Sequence, residues 1–269
     1  MIQKIQRRAI GIINRIRSDF FIFNRIADYE QIIKTARDNN YEVLPLSDFF
    51  NDARNNRLAG RKILLIRHDI DSDPAYVLKW LAVNQKYGVR TSFYFRLCTL
   101  DYPVMRKVHD QQSDCGYHYE ELATIAKRKK ILTKKEIEQL YPEIRMEFIN
   151  NFNKIEQECG FKIRSIASHG DFANRILNTP NREFITEAIM EQCGIDFETY
   201  QPEIVTNYSI NITDCGYPNL YRGDTSVLQA IDQQYPVIHI LIHPKHWRSS
   251  WYWNIYENGK RIIEGLKYR

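Results

Sequence analysis

The tract Ile63-Leu64-Leu65-Ile66, running into Arg67-His68-Asp69-Ile70-Asp71, constrains the fold more than any other stretch of this chain. An apolar run of that length suits a strand buried on both faces, as in a parallel sheet covered by helices. Alternation along a strand puts Asp69 and Asp71 on the same side. Their repulsion has to be offset by a cation, a shared proton or solvent. A divalent metal is the offset the wider pattern favours, because histidines recur at the ends of later strands. Taken alone, a solvated or salt-bridged aspartate pair explains the two carboxylates equally well.

A chain of 269 residues with 43% hydrophobic content holds one large α/β domain or two small ones. No window of eighteen apolar residues marks a membrane span, and the N-terminus lacks the features of a secretory signal, so the cytoplasm is the expected address. The cysteines (Cys98, Cys115, Cys159, Cys193, Cys215) are scattered without a CxxC pair, which argues against a disulfide framework or a cysteine zinc site. The net charge of +5 concentrates at Lys4, Arg7, Arg8, Arg15 and Arg17 and in the basic run 127–130. No nucleic-acid motif accompanies either cluster, so no nucleic-acid partner is expected.

Residues 1–25 read as a basic amphipathic helix in which Ile2, Ile5, Ala9, Ile12, Ile13 and Ile16 form one stripe. The stripe either packs on the main domain or a partner protomer, or lies on an anionic membrane surface. Shortness and the lack of an interfacial tryptophan favour packing. Residues 26–269 read as the main domain, in which strands and helices alternate. Strands are expected at 41–44, 63–71, 91–97, 115–118, 163–168, 208–213 and 237–242, with a closing helix at the tail. Thr133 and Glu136 form a capping box opening a long helix that runs near Gly160, with Pro142 marking a kink or a division into two helices. Residues 171–181 read as a functional loop and 182–192 as a helix. Such alternation implies parallel pairing, and ligands in these folds gather at the carboxyl ends of strands.

Reactive residues recur at those ends. Asp69 and Asp71 end one strand, His118 a second, His169 a third and His243 a fourth. Oxygen and imidazole ligands together suit zinc, and also cobalt, nickel or manganese. His68 is either a core group or a support behind the ligands. His239 shares a strand face with His243 but lies deeper, as buried structure. Asp214 is a candidate partner for His243. The cluster His246-Trp247, with Trp251 and Trp253, either stacks on a sugar ring or anchors the terminal helix. Tyr117 and Tyr119 flank His118 as candidate cleft residues, and Arg222, Gly223 and Asp224 form either a substrate-contact loop or a plain turn.

The stretch Arg67 to Asp71, then Pro74, then Tyr87 to Phe95 resembles the opening of the polysaccharide deacetylases, the NodB-homology enzymes of carbohydrate esterase family four. Their TFDDG motif precedes a helix and a G-V-x-A-T-F-F strand at nearly this distance. Asp114 to His118 is similar to the second motif of that family, E-I-G-x-H, and Leu241-Ile242-His243 to its final L-x-H motif. The resemblance is closest to a divergent branch with H-D-x-D, G-x-H-Y-E and A-S-H-G motifs found in O-antigen loci, here His68 to Asp71, Gly116 to Glu120 and Ala167 to Gly170. It covers roughly residues 60–245.

The resemblance implies an α/β fold, a distorted (β/α) barrel of the polysaccharide deacetylase type with an extra N-terminal helix. It also implies a metal-dependent hydrolase that removes an N-acetyl group from a sugar or glycan precursor in surface polysaccharide biosynthesis. It casts Asp69 as the general base, Asp71 and His118 as metal ligands and His243 as the general acid. The second metal histidine of the family falls four residues after the first, where this chain has Leu122. His169 is then the first choice as third ligand and Glu120 the second. The arginine-proline third motif is replaced by Ser168-His169-Gly170. A catalytically silent carbohydrate-binding or scaffold protein, or a hydrolase of another amide or ester, are the other readings.

Overall fold

The computed structural model describes residues 2–215 and 219–268, with side chains from residue 10 on, position 15 excepted. Helix α1 (Ile2–Phe20) leads to α2 (Ile26–Asp38), strand β1 (Glu42–Leu44) and α3 (Leu46–Arg54). Alternation continues through β2 (Ile63–Ile70), α4 (Val77–Tyr87), β3 (Ser92–Phe95), α5 (Tyr102–Asp110) and β4 (Asp114–Tyr119). Three helices, α6 (Glu121–Lys129), α7 (Lys134–Gln139) and α8 (Tyr141–Cys159), precede β5 (Ser165–Ser168). Next come α9 (Phe172–Leu177), α10 (Glu187–Cys193), β6 (Phe197–Glu198), α11 (Pro202–Val205) and β7 (Ile210–Thr213). The chain ends with α12 (Val227–Asp232), β8 (Val237–Ile242), α13 (Pro244–Trp247) and α14 (Trp251–Tyr268).

Every strand pairs in parallel within one sheet of order β6-β5-β4-β3-β2-β8-β7, and β1 lies beside the first half of β2. No ladder joins β6 to β7 among the described residues, so the sheet curls into a distorted, open (β/α) barrel. The curl brings distant strands together inside. Arg67 on β2 donates from Nη1 to Thr199 Oγ1, just past β6, at 2.9 Å.

Strand alternation sorts the side chains into two layers. On β2, Leu64, Ile66 and Ile70 face the covering helices, while Ile63 and Leu65 join Leu46, Phe49, Phe50, Tyr94, Phe197 and Val237 in the barrel floor. Each such aliphatic side chain contributes about 1.5–3 kcal/mol by leaving water. Above that floor the interior turns polar, with Arg67, Asp69, Asn211, His239 and His243 lining a cleft. Gly116 belongs to this packing. A Cβ there would lie 2.4 Å from the Tyr94 ring and 2.6 Å from the Ser165 carbonyl oxygen, so only glycine fits.

Pro142 sits in the first turn of α8, and the expected long helix is two helices, with Thr133 capping α7 by accepting from the Glu136 N–H at 3.4 Å. Residues 171–181 are not a loop. Asp171 caps α9 by accepting from the Ala173 N–H, and Asn174 returns the bond to the Asp171 N–H. The expected helix at 182–192 is broken into a short turn at Asn181–Phe184 and α10, which Thr186 caps. β6 is too short to carry a periodic signal in the sequence.

The isoleucine stripe does not pack on the main domain at its described positions: Ile12, Ile13 and Ile16 are 62%, 53% and 47% exposed. The side chains of Ile2, Ile5 and Ala9, and of Lys4, Arg7, Arg8 and Arg15, lie outside the described residues. The carboxyl end of α1 makes the contact instead. Trp251 Nε1 of α14 donates to the Phe20 carbonyl at 2.9 Å, and the two rings meet edge to face. No described helix is long and apolar enough to cross a membrane.

Candidate active site

The inner faces of β2, β4, β5 and β8 end at one rim. Asp71, just past β2, directs Oδ1 to within 3.5 Å of His118 Nε2 and 3.7 Å of His169 Nε2. His118 Nδ1 lies 2.9 Å from the Ala167 carbonyl oxygen, which only accepts, so Nδ1 carries the proton and Nε2 a lone pair. His169 Nδ1 lies 3.1 Å from Glu120 Oε2, off the line of a hydrogen bond, and the carboxylate favours the same tautomer. Asp71 Oδ1 is buried and has no hydrogen-bond partner.

Three electron-pair donors thus face one another within 4.8 Å. Without a cation between them their lone pairs repel. Two neutral imidazole nitrogens and one carboxylate oxygen form a donor set that zinc accepts, as do cobalt, nickel and manganese, so these residues fit a divalent ion. Leu122 is buried in the outer helix layer, away from this rim, so the lack of a histidine there removes nothing from the cluster.

Glu120, the second choice as third ligand, does not join the cluster. Arg96 grips both of its oxygens, at 2.9 and 2.7 Å, and it stands behind His169. A carboxylate behind a ligating imidazole fixes the ring and raises its basicity. His68 is neither ligand nor support. It lies on the outer face of β2, stacked on Phe93 at 4.1 Å, with Nδ1 2.9 Å from the Ser92 carbonyl and Nε2 3.2 Å from Tyr29 Oη. Burial pushes its pKa down to about 3, so it is a neutral core residue.

Asp69 is held by Arg67, whose Nε and Nη2 donate to its two oxygens at 2.8 and 2.7 Å. Burial works against the carboxylate charge, but the Arg67 guanidinium opposes it, and the pKa lies below the usual range. Oδ2 also lies 3.4 Å from His118 Nε2, beside the donor cluster. Across the rim, Asp214 Oδ1 accepts from His243 Nδ1 at 2.7 Å, while Oδ2 accepts from the His243 N–H and from Trp247 Nε1. Burial disfavours the imidazolium, yet Asp214 raises the His243 pKa above its ordinary value. Nε2 is left as the free nitrogen of His243 on the cleft wall.

The cleft measures about 420 Å³. Arg222 lines it, but three expected substrate residues do not. Tyr117 and Tyr119 are fully buried in the outer layer, where their hydroxyls meet Glu121 at 2.5 Å and Glu198 at 3.4 Å. They neighbour His118 in sequence, and the two-residue strand period therefore turns them to the opposite face. Trp247 is likewise buried, packed edge to face on Tyr29 and bonded to Asp214, and it anchors the chain rather than stacking on a ligand. The aromatic rings that do line the cleft are Tyr200 and Tyr208. Arg67 lies 4.8 Å over the Tyr200 ring, and Tyr208 stacks on His239 at 4.4 Å.

His246, named beside Trp247 in the sequence, does line the cleft, whereas the sequence reading missed Arg67, Tyr200, Tyr208 and Arg261 as cleft residues. Arg67 had a signal, because it sits two residues before Asp69 and so shares its strand face. The two tyrosines had none, since loops following β6 and α11 carry them.

No protein-family model matches the chain, and no curated protein matches it. Solved structures similar to it include the Streptococcus pyogenes deacetylase PplD in complex with acetate, at 10% identity and TM-score 0.44, covering 65% of this chain and 72% of that one. BA3943 of Bacillus anthracis, a CE4 family pseudoenzyme, is similar at 16% identity and TM-score 0.42, covering 77% of this chain and 61% of that one. A BA3943 mutant with restored enzymatic activity matches at 15% identity and TM-score 0.42, over 77% of this chain and 63% of the other. The chain thus spans under two thirds of the length of BA3943.

Proposed function

We propose that this chain is a metal-dependent hydrolase that removes an N-acetyl group from a sugar or glycan precursor of surface polysaccharide. The observation that carries the reading is the convergence of Asp71 Oδ1, His118 Nε2 and His169 Nε2 beside both Asp69 and the His243–Asp214 pair. Asp71, His118 and His169 would hold the ion, zinc by its donor set. When bound, a divalent ion supplies Lewis acidity, lowering the pKa of water and polarising a carbonyl.

Asp69, kept ionised by Arg67, accepts a proton from the attacking water through a lone pair that Arg67 leaves open. His243, oriented and kept protonated by Asp214, donates from Nε2 to the departing nitrogen. The water oxygen adds to the acyl carbon, the C–N bond breaks, and acetate and a free amine leave. Tyr200 and Tyr208 offer ring faces to the sugar. The motifs resemble those of proteins from O-antigen loci, which is what suggests a surface-polysaccharide precursor as the substrate. The exposed Ile12, Ile13 and Ile16 offer peripheral membrane contact, which deletion of residues 1–18 and co-sedimentation with anionic vesicles would test.

The test of the activity is acetate release from N-acetylated sugars by protein stripped of metal and then reloaded with zinc, cobalt, nickel or manganese. Release restored by an ion and lost in Asp69→Asn supports the reading. Stoichiometric ion binding without release from any N-acetylated substrate would sink it.

A further inference from the structure

Resting on the hydrolase reading, we infer that the cleft mouth holds an anionic group, a phosphate or carboxylate carried by the substrate near its amide. The charges lining the cleft divide by depth. In the buried part of the cleft, Asp69 pairs with Arg67 at 2.7 Å and Asp214 with His243 at 2.7 Å, while Asp71 faces the two ligand histidines. Asp69 and Asp214 are thus paired, and Asp71 is committed to the donor cluster. Arg222 and Arg261 are further cations of the lining.

Arg222 and Arg261 are exposed, and neither pairs with a described carboxylate. They come from separate walls, Arg222 from the loop after β7 and Arg261 from α14. Exposed guanidinium groups on open surface would be ordinary solvated charges. Here they border a concave cleft whose described lining carboxylates are already committed to other groups, a setting that concentrates the field on an entering anion. A planar guanidinium fork also matches a phosphate or carboxylate edge with two parallel hydrogen bonds.

The test is calorimetric titration of the metal-loaded and the metal-stripped protein with N-acetylglucosamine and with N-acetylglucosamine 1-phosphate. The phosphorylated probe is expected to bind about ten-fold tighter at low salt, with the preference shrinking as sodium chloride is raised. The variant Arg222→Ala/Arg261→Ala, whose sites are exposed, is expected to melt as the parent does and to lose the preference. Two further probes separate the sources of the anion. Tight binding of a soluble uridine-diphosphate sugar points to a nucleotide carrier, and binding confined to vesicles bearing a polyprenyl-diphosphate sugar points to a lipid carrier. Equal affinity for the neutral and phosphorylated probes, no binding of either, or a preference that survives in the double variant overturns the inference. Acetate release without the preference leaves the hydrolase reading standing and removes this one; the preference without acetate release does the reverse.

Discussion

Replacing Arg67 by methionine isolates the most heavily constrained charge in the interior. Arg67 is 2% exposed and donates to Asp69 at 2.8 and 2.7 Å and to Thr199 at 2.9 Å. It also lies over the rings of Tyr94 and Tyr200 at 5.4 and 4.8 Å. Methionine fills much of the volume but leaves the Asp69 carboxylate buried without its counter-charge. Breaking a buried pair from one side costs about 3–5 kcal/mol. For a domain of this size that corresponds to a fall in melting temperature of roughly 10 °C. The assay is urea and thermal unfolding of metal-stripped protein followed by circular dichroism, so that a bound ion does not compensate Asp69. Arg67→Met/Asp69→Asn removes the stranded charge as well and is expected to regain a large part of the loss. A single variant within about 1 kcal/mol of the parent, or a double variant no better than the single, would refute the argument.

Three further outcomes follow from the same geometry. Asp214→Asn removes the carboxylate that raises the His243 pKa, so the alkaline limb of the pH–rate profile, where the acid loses its proton, shifts to lower pH and the rate falls about 10²-fold; an unmoved limb would exclude His243 as the acid. Gly116→Ala drives a Cβ to 2.4 Å from the Tyr94 ring and 2.6 Å from the Ser165 carbonyl, and is expected to lower unfolding stability in urea by about 3 kcal/mol. His68 has its folded pKa depressed to about 3 by burial, so the unfolded chain takes up its proton first and stability is lost as pH falls from about 6.5 towards 3. His68→Leu should make that slope shallower by about 1 kcal/mol per pH unit and leave bound metal unchanged; a loss of metal would return His68 to the site.

The parts of this fold that were legible in the sequence are those with a period. The apolar tract of β2, the glycine ends of α4 and α8, and the histidine or aspartate closing each long strand all announce their layer through spacing. Reading neighbours as companions failed for the same reason: Tyr117 and Tyr119 touch His118 along the chain and therefore face away from it. His68 follows that rule beside Asp69. Trp247 misled through composition, because an aromatic near a cleft motif is as useful for anchoring as for stacking. Tyr200, Tyr208 and Arg261 reach the cleft only through the curl of the sheet and the return of α14, which no local pattern encodes.

The account stands on one ion held by Asp71, His118 and His169, and metal content is its most direct test. Elemental analysis and zinc titration of the purified chain should give one ion per chain. Asp71→Ala, His118→Ala and His169→Ala should each weaken or abolish that binding while the circular dichroism spectrum persists. A folded parent that takes up no stoichiometric ion, or variants that bind zinc as tightly as the parent, would contradict it.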